Sequence, residues 1–199
     1  MGKEPVSLPV DAVILRILRE TQSGYARPIY RTALVKLVYL VDYFYAQHVG
    51  RTLTGLDYFW DDHGPNAVSN KIVKRADGLQ SPAGPIEIEK GVTPSGNPKY
   101  LYRLTREAEP SRLDDLGERI IHDVVMTYGS LNWKAIVKAA KATRPILRAK
   151  RGDRLNLIPD AEKQRRLATV RAKLGGREYD TGRPGVTITD LRARYGLSG

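Results

Sequence analysis

Residues 58–73 read Tyr-Phe-Trp-Asp-Asp-His-Gly-Pro-Asn-Ala-Val-Ser-Asn-Lys-Ile-Val, which places three aromatics, two adjacent carboxylates, a histidine and a Gly-Pro pair in one short segment. Asp61, Asp62 and His63 are the residue types of an acid–base pair or a divalent-metal site, because a carboxylate orients an imidazole and both groups bind cations. Consecutive side chains of an extended backbone point to opposite sides, so three neighbours do not converge on one ion. His48 and His122 have no second histidine one helical turn away. A hydrolase has no better support, since the chain contains neither a Gly-x-Ser-x-Gly elbow nor a cysteine. The glycine-bearing stretches at 55–64 and 91–98 lack the Lys followed by Ser or Thr that completes a phosphate loop. The expectation is a protein with no catalytic residues, no metal and no cofactor.

Backbone demands explain the same segment differently. Gly64 takes angles closed to other residues, Pro65 fixes the next one, and Asn66 is placed to cap a helix running to about Ala76. Tyr58, Phe59 and Trp60 then either cover the core or stand at a recognition surface. Tyr39 and Tyr43 lie one turn apart on a preceding helix. Together with Tyr58, Trp60, His63, Gly64, Pro65 and Asn66 they form a candidate partner-binding surface of amphipathic anchors around a rigid turn.

The elements that would hold this surface are mostly helices. Val10, Val13, Ile14, Ile17 and Leu18 recur on one helical face, with Ser7 as cap and Pro9 in the first turn. Residues 30–50 are apolar nearly all the way round, the mark of a central helix packed on several sides, and Gly50 ends them. Residues 86–89 and 99–104 alternate in the strand period and suggest a hairpin. Ser111 with Asp114 opens a helix that Gly129 closes; a further helix starts near Ser130 and stops near Pro145. The fold expected is mainly α, of the α+β class. It is a compact helical domain over 1–150 with a small β hairpin, followed by a basic extension over 151–199.

Charge is distributed unevenly along the 199 residues. Through Trp133, Lys and Arg number 16 against 16 Asp and Glu, whereas the remaining third holds 17 against 6 and so carries the whole net charge of +11. Arg148, Lys150, Arg151, Arg154, Arg165, Arg166, Arg171 and Lys173 are the candidate nucleic-acid contacts. With about six of them on phosphates, affinity for duplex DNA would fall with salt at a logarithmic slope near −5. The helix-then-hairpin order also outlines a winged helix, which makes a DNA-binding regulator the alternative function. Against it, a reading helix needs an exposed polar face, and residues 30–44 offer apolar residues and tyrosines. No stretch reaches the ~20 apolar residues of a membrane span, and the N-terminus lacks the apolar core of a secretion signal. With the absence of cysteine, this fits a cytoplasmic protein that has no membrane partner.

Residues 36–73 resemble the Panacea domain, also called the SocA-like antitoxin domain. The matching positions are Lys36, Leu37, Tyr39, Leu40, Asp42, Gly50, Thr54, Gly55, Tyr58, Gly64 and Pro65. Tyr128, Gly129, Leu131 and Pro145 look like the domain's closing helix pair, and the resemblance covers about residues 8–150. The place often held by a Thr-His pair before the proline reads Thr143-Arg144 here, and the basic extension lies outside the resemblance. The resemblance implies a mainly helical antitoxin that inhibits a cognate toxin by direct binding. SocA itself delivers its toxin to a protease, and antitoxins commonly repress their own operons, so a protease and the operator DNA are further candidate partners.

Overall fold

The computed structural model describes residues 9–80, 84–105, 113–160 and 168–169. Ser7 and Ser111, expected as caps, lie outside these residues, as do Arg165, Arg166, Arg171, Lys173 and the tail beyond them.

Helix α1 (Pro9–Tyr25) begins on the proline, whose missing N–H costs nothing in a first turn, and buries Val10, Val13, Ile14, Ile17 and Leu18. A two-residue strand, β1 (Ile29–Tyr30), leads into α2 (Arg31–Val49). Residues 33–42 of α2 are buried without interruption, because α1, α4, α5 and the segment after α2 pack round it. A helix enclosed in this way has no face to lay in a DNA groove. Gly50 ends it with φ at 75°, its N–H donating to the Ala46 carbonyl at 2.9 Å, the left-handed cap that only glycine adopts without strain.

The segment after α2 differs from the sequence expectation. Its aromatics and Gly-Pro pair form a second hairpin, β2 (Tyr58–Asp61) and β3 (Gly64–Ala67), with Tyr58 opposite Ala67 and Asp61 opposite Gly64. Asn66 is therefore a strand residue paired with Phe59 and caps nothing; α3 (Lys71–Gly78) starts only after a 3-10 turn in which Ser69 and Asn70 hold positive φ. Pairing with β2 satisfies the backbone of 64–67 in place of a first helical turn, and the tertiary contact overrides the local preference of asparagine.

The expected hairpin is β4 (Ile86–Val92) with β5 (Pro98–Leu104), registered from Ile86 opposite Leu104 to Val92 opposite Pro98. β1 joins the other edge of β5, giving the order β1-β5-β4. Helix α4 (Asp115–Tyr128) is capped by Asp114, whose Oδ1 accepts from Gly117 N at 2.7 Å. Gly129 follows because a Cβ there would lie 2.5 Å from the Val125 carbonyl oxygen. The next helix, α5 (Trp133–Lys141), is capped by Asn132 rather than Ser130, with Oδ1 accepting from Ala135 N at 3.0 Å. Pro145 does not stop it but sits in the first turn of a separate short helix, α6 (Arg144–Leu147). The stretch read as a basic connection contains β6 (Arg154–Leu155), which pairs with the outer edge of β2 and completes a second sheet of order β3-β2-β6. The described residues are mainly α with two small antiparallel sheets, packed as a single core that runs from Val10 to Leu157.

Candidate functional site

Asp42 is the centre of the arrangement. It is 0% exposed, and its carboxylate accepts from Thr54 N at 2.8 Å, from the Thr54 hydroxyl and from the Tyr58 hydroxyl at 2.7 Å. Burial raises its pKa to about 6 even though these hydrogen bonds favour the charged form. Tyr58 stands edge-on to Tyr39 with ring centroids 5.2 Å apart, and the Tyr39 hydroxyl meets Thr143 Oγ1 at 2.6 Å. A continuous polar and aromatic chain therefore runs from the loop after α2, through α2 and β2, to the junction of α5 and α6. Burial pushes both tyrosine hydroxyls to higher pKa, so they act as neutral donors and not as acids.

Two lysines hold the β2–β3 turn from below. Lys36, 3% exposed, donates from Nζ to the Pro65 carbonyl at 2.6 Å, and Lys141 Nζ donates to the Asp62 carbonyl at 3.2 Å. Burial lowers the pKa of Lys36 to about 8. Gly64 suits this turn by its conformation, and its lack of a side chain leaves room for Lys141. Its φ is +91°, and a Cβ would come within 3.3 Å of Lys141 Cγ. The third strand adds a strap: Trp60 N donates to the Asp153 carbonyl at 2.9 Å, and Gly152 N donates to the Trp60 carbonyl at 2.8 Å.

The expected partner surface is consequently divided. Tyr39 and Tyr58, at 0% and 1% exposure, are core residues with engaged hydroxyls and offer nothing to a partner. Gly64 and Pro65 are buried, and their part is to shape the turn. Tyr43 and Trp60 are half-buried, each packing partly against the core. Of the eight residues only His63 is exposed, with Asn66 half-buried beside it. Phe59, named with its neighbours in the sequence but left out of the candidate surface, is half-buried on the face of β2 opposite to Tyr58 and Trp60, cross-strand from Asn66 on one side and Arg154 on the other. Once β2 buries Tyr58, alternation along the strand turns Phe59 to the other face.

Asp61, Asp62 and His63 do not converge. Asp61 Oδ1 accepts from Asp62 N at 2.7 Å and Oδ2 from Asn66 at 3.3 Å, while Asp62 pairs with Arg151. The Asp62 amide is the main reason the Asp61 carboxyl lies below the usual carboxylate range, which weakens it as a base. Among the described residues no group of three or more His, Asp or Glu side chains is placed to hold a metal ion.

The described members of the basic set are exposed, and two of them are closely paired. Arg148 lies 3.9 Å from Asp160, Arg151 pairs with Asp62, and Arg154 meets Asp57 at 2.6 Å; Lys150 is exposed at the start of the strap. Among the described residues no helix is long and apolar enough to cross a membrane.

The residues the resemblance singled out are thus the ones that build this framework: Lys36 and Pro65 as a pair, Asp42, Thr54 and Tyr58 as a trio, and Gly50, Gly55 and Gly64 at positive φ. No curated protein and no solved structure matches the chain. Residues 34–145 match the family described as antitoxin SocA-like, Panacea domain, and the chain belongs to that family.

Proposed function

We propose that this protein is an antitoxin that neutralises a cognate toxin by binding it directly in the cytoplasm, with no chemistry of its own. The observation that carries the reading is the family match over residues 34–145. The geometry adds to it, because the motif residues are spent inside the fold and the outer face of the β3-β2-β6 sheet is left as a patterned surface. That face carries Phe59 between Asn66 and Arg154, with Asp62 and His63 at its turn. An aromatic flanked by an amide and a guanidinium on a lysine-braced hairpin has the character of an interface anchor. Delivery of the bound toxin to a protease would be an additional step, which this reading does not require.

The test is co-expression. The neighbouring reading frame, induced alone, is expected to arrest growth, and this chain supplied in trans is expected to restore it. Growth arrest that this chain does not relieve would count against the proposal.

A further inference from the structure

A cleft of about 300 Å³ opens between the C-terminal half of α2, α6 and the segment that follows β6. Its apolar wall includes Tyr43, Pro145 and Leu157; its polar wall includes Arg144 and Arg148. These arginines stand at the two ends of the short helix α6, Arg144 opening it and Arg148 capping it, and their guanidiniums converge. Both approach the same atom, Asp160 Oδ2, at 3.5 and 3.9 Å. A direct guanidinium–carboxylate hydrogen bond is about 2.7–2.9 Å, so both arginines retain donors for a closer acceptor. With side-chain exposures of 50% and 62% they are open to one. Their position is fixed from within, because Thr143, the residue before Arg144, is buried and bonded to Tyr39. Two residues before Asp160, Ile158 lines the same cleft although it is 41% exposed. The chain's own Ile158-Pro159-Asp160 therefore lays an aliphatic group and a carboxylate along a wall that presents an apolar surface and two cations.

We propose that this cleft receives an acidic segment of the partner protein, whose carboxylate takes the place of Asp160 between Arg144 and Arg148 while a neighbouring aliphatic side chain packs against Tyr43 and Pro145. The proposal rests on the antitoxin reading and names a chemistry for its partner. The forked, planar donors of arginine match a carboxylate in two contacts at once, and charge complementarity of this kind sets which partner is accepted. Asp160 would act as an internal competitor that keeps the cleft selective.

The probe is a fluorescein-labelled peptide Leu-Ile-Pro-Asp-Ala-Glu, with Leu-Ile-Pro-Asn-Ala-Gln as its uncharged counterpart, titrated with the full chain by fluorescence anisotropy. The acidic peptide should bind at least tenfold more tightly than the uncharged one. Arg144→Glu with Arg148→Glu should remove that preference, and Asp160→Ala should tighten binding several-fold because it removes the competitor. The Asp160 variant and the peptide pair keep the test decisive even if the double reversal perturbs α6. Equal binding of the two peptides, weaker binding by Asp160→Ala, or displacement of the peptide by equimolar inorganic phosphate would each overturn the proposal, the last by marking a phosphate site. If the chain rescues growth yet ignores the peptide, the cleft proposal fails alone. If it binds the peptide but rescues no neighbouring toxin, the antitoxin reading fails and the acidic-segment site stands without its assigned partner.

Discussion

At the scale of single residues, the family motif is occupied with the cost of burying polar groups. Asp42 has its acceptor capacity taken by two groups of Thr54 and by Tyr58, and Lys36 spends a charge on one carbonyl. A buried carboxylate with its partners removed would cost several kcal/mol, so its position relative to them is fixed. The raised pKa of Asp42 has a direct consequence. Between about pH 4, where the unfolded carboxyl titrates, and about pH 6, the native protein binds a proton that the unfolded chain has released. The contribution of Asp42 to stability is therefore complete below the unfolded pKa and is lost as pH rises through the folded one. Denaturant unfolding of wild type and Asp42→Asn at steps from pH 4 to 7 should show the wild type losing stability relative to the variant across that window. Parallel curves would mean that the carboxylate is better solvated than its burial indicates. Phe59 is the complementary case at this scale: half-buried on the outer face of β2, it is the side chain proposed for recognition.

At the scale of elements, helices α1, α2, α4 and α5 were legible because a helical period of apolar residues depends only on local spacing, as Val10, Val13, Ile14 and Ile17 illustrate. The β4–β5 hairpin was legible for the same reason, through alternation. The β3-β2-β6 sheet was not. Its strands are four, four and two residues long, too short for a period to emerge, and β6 comes from a stretch whose charges disguised Leu155 and Leu157. The local signal at Asn66 pointed to a cap, and only pairing with a distant strand explains why it is none. The candidate site suffered from the same gap. Tyr58 was recognisable as important, but whether it faced the core depended on the register of a sheet the sequence did not announce. The strap that β6 forms rests on burial more than on its ion pairs. Leu155→Ala should lower stability by about 2–4 kcal/mol in chemical denaturation, through lost burial and the cavity it leaves. Arg151→Ala should leave stability nearly unchanged, since an ion pair at the exposed rim contributes little. The reverse ranking would show that charge holds the strap.

At the scale of the whole molecule, the positive charge is concentrated in the last third of the sequence, and the described start of that third, through Leu157, packs into the same core as the neutral part before it. Near the boundary the arginines of that third do not project freely. Arg144 and Arg148 face Asp160, Arg151 meets Asp62 and Arg154 meets Asp57, so the beginning of the basic stretch lies against the second sheet and the cleft beside it. With α2 enclosed, the winged-helix alternative loses its reading helix. On the outer side lies a braced sheet face bearing the half-buried Phe59, beside a cleft with two cations. Both features suit a protein partner. The central claim is that this partner is a toxin held by direct contact, and it is tested most directly by isothermal titration of the purified neighbouring gene product with wild type and Phe59→Ala. A stoichiometric complex is expected with wild type, with binding weakened by about 2 kcal/mol in the variant and an unchanged melting temperature. Absence of heat with wild type, under conditions where co-expression restores growth, would contradict it.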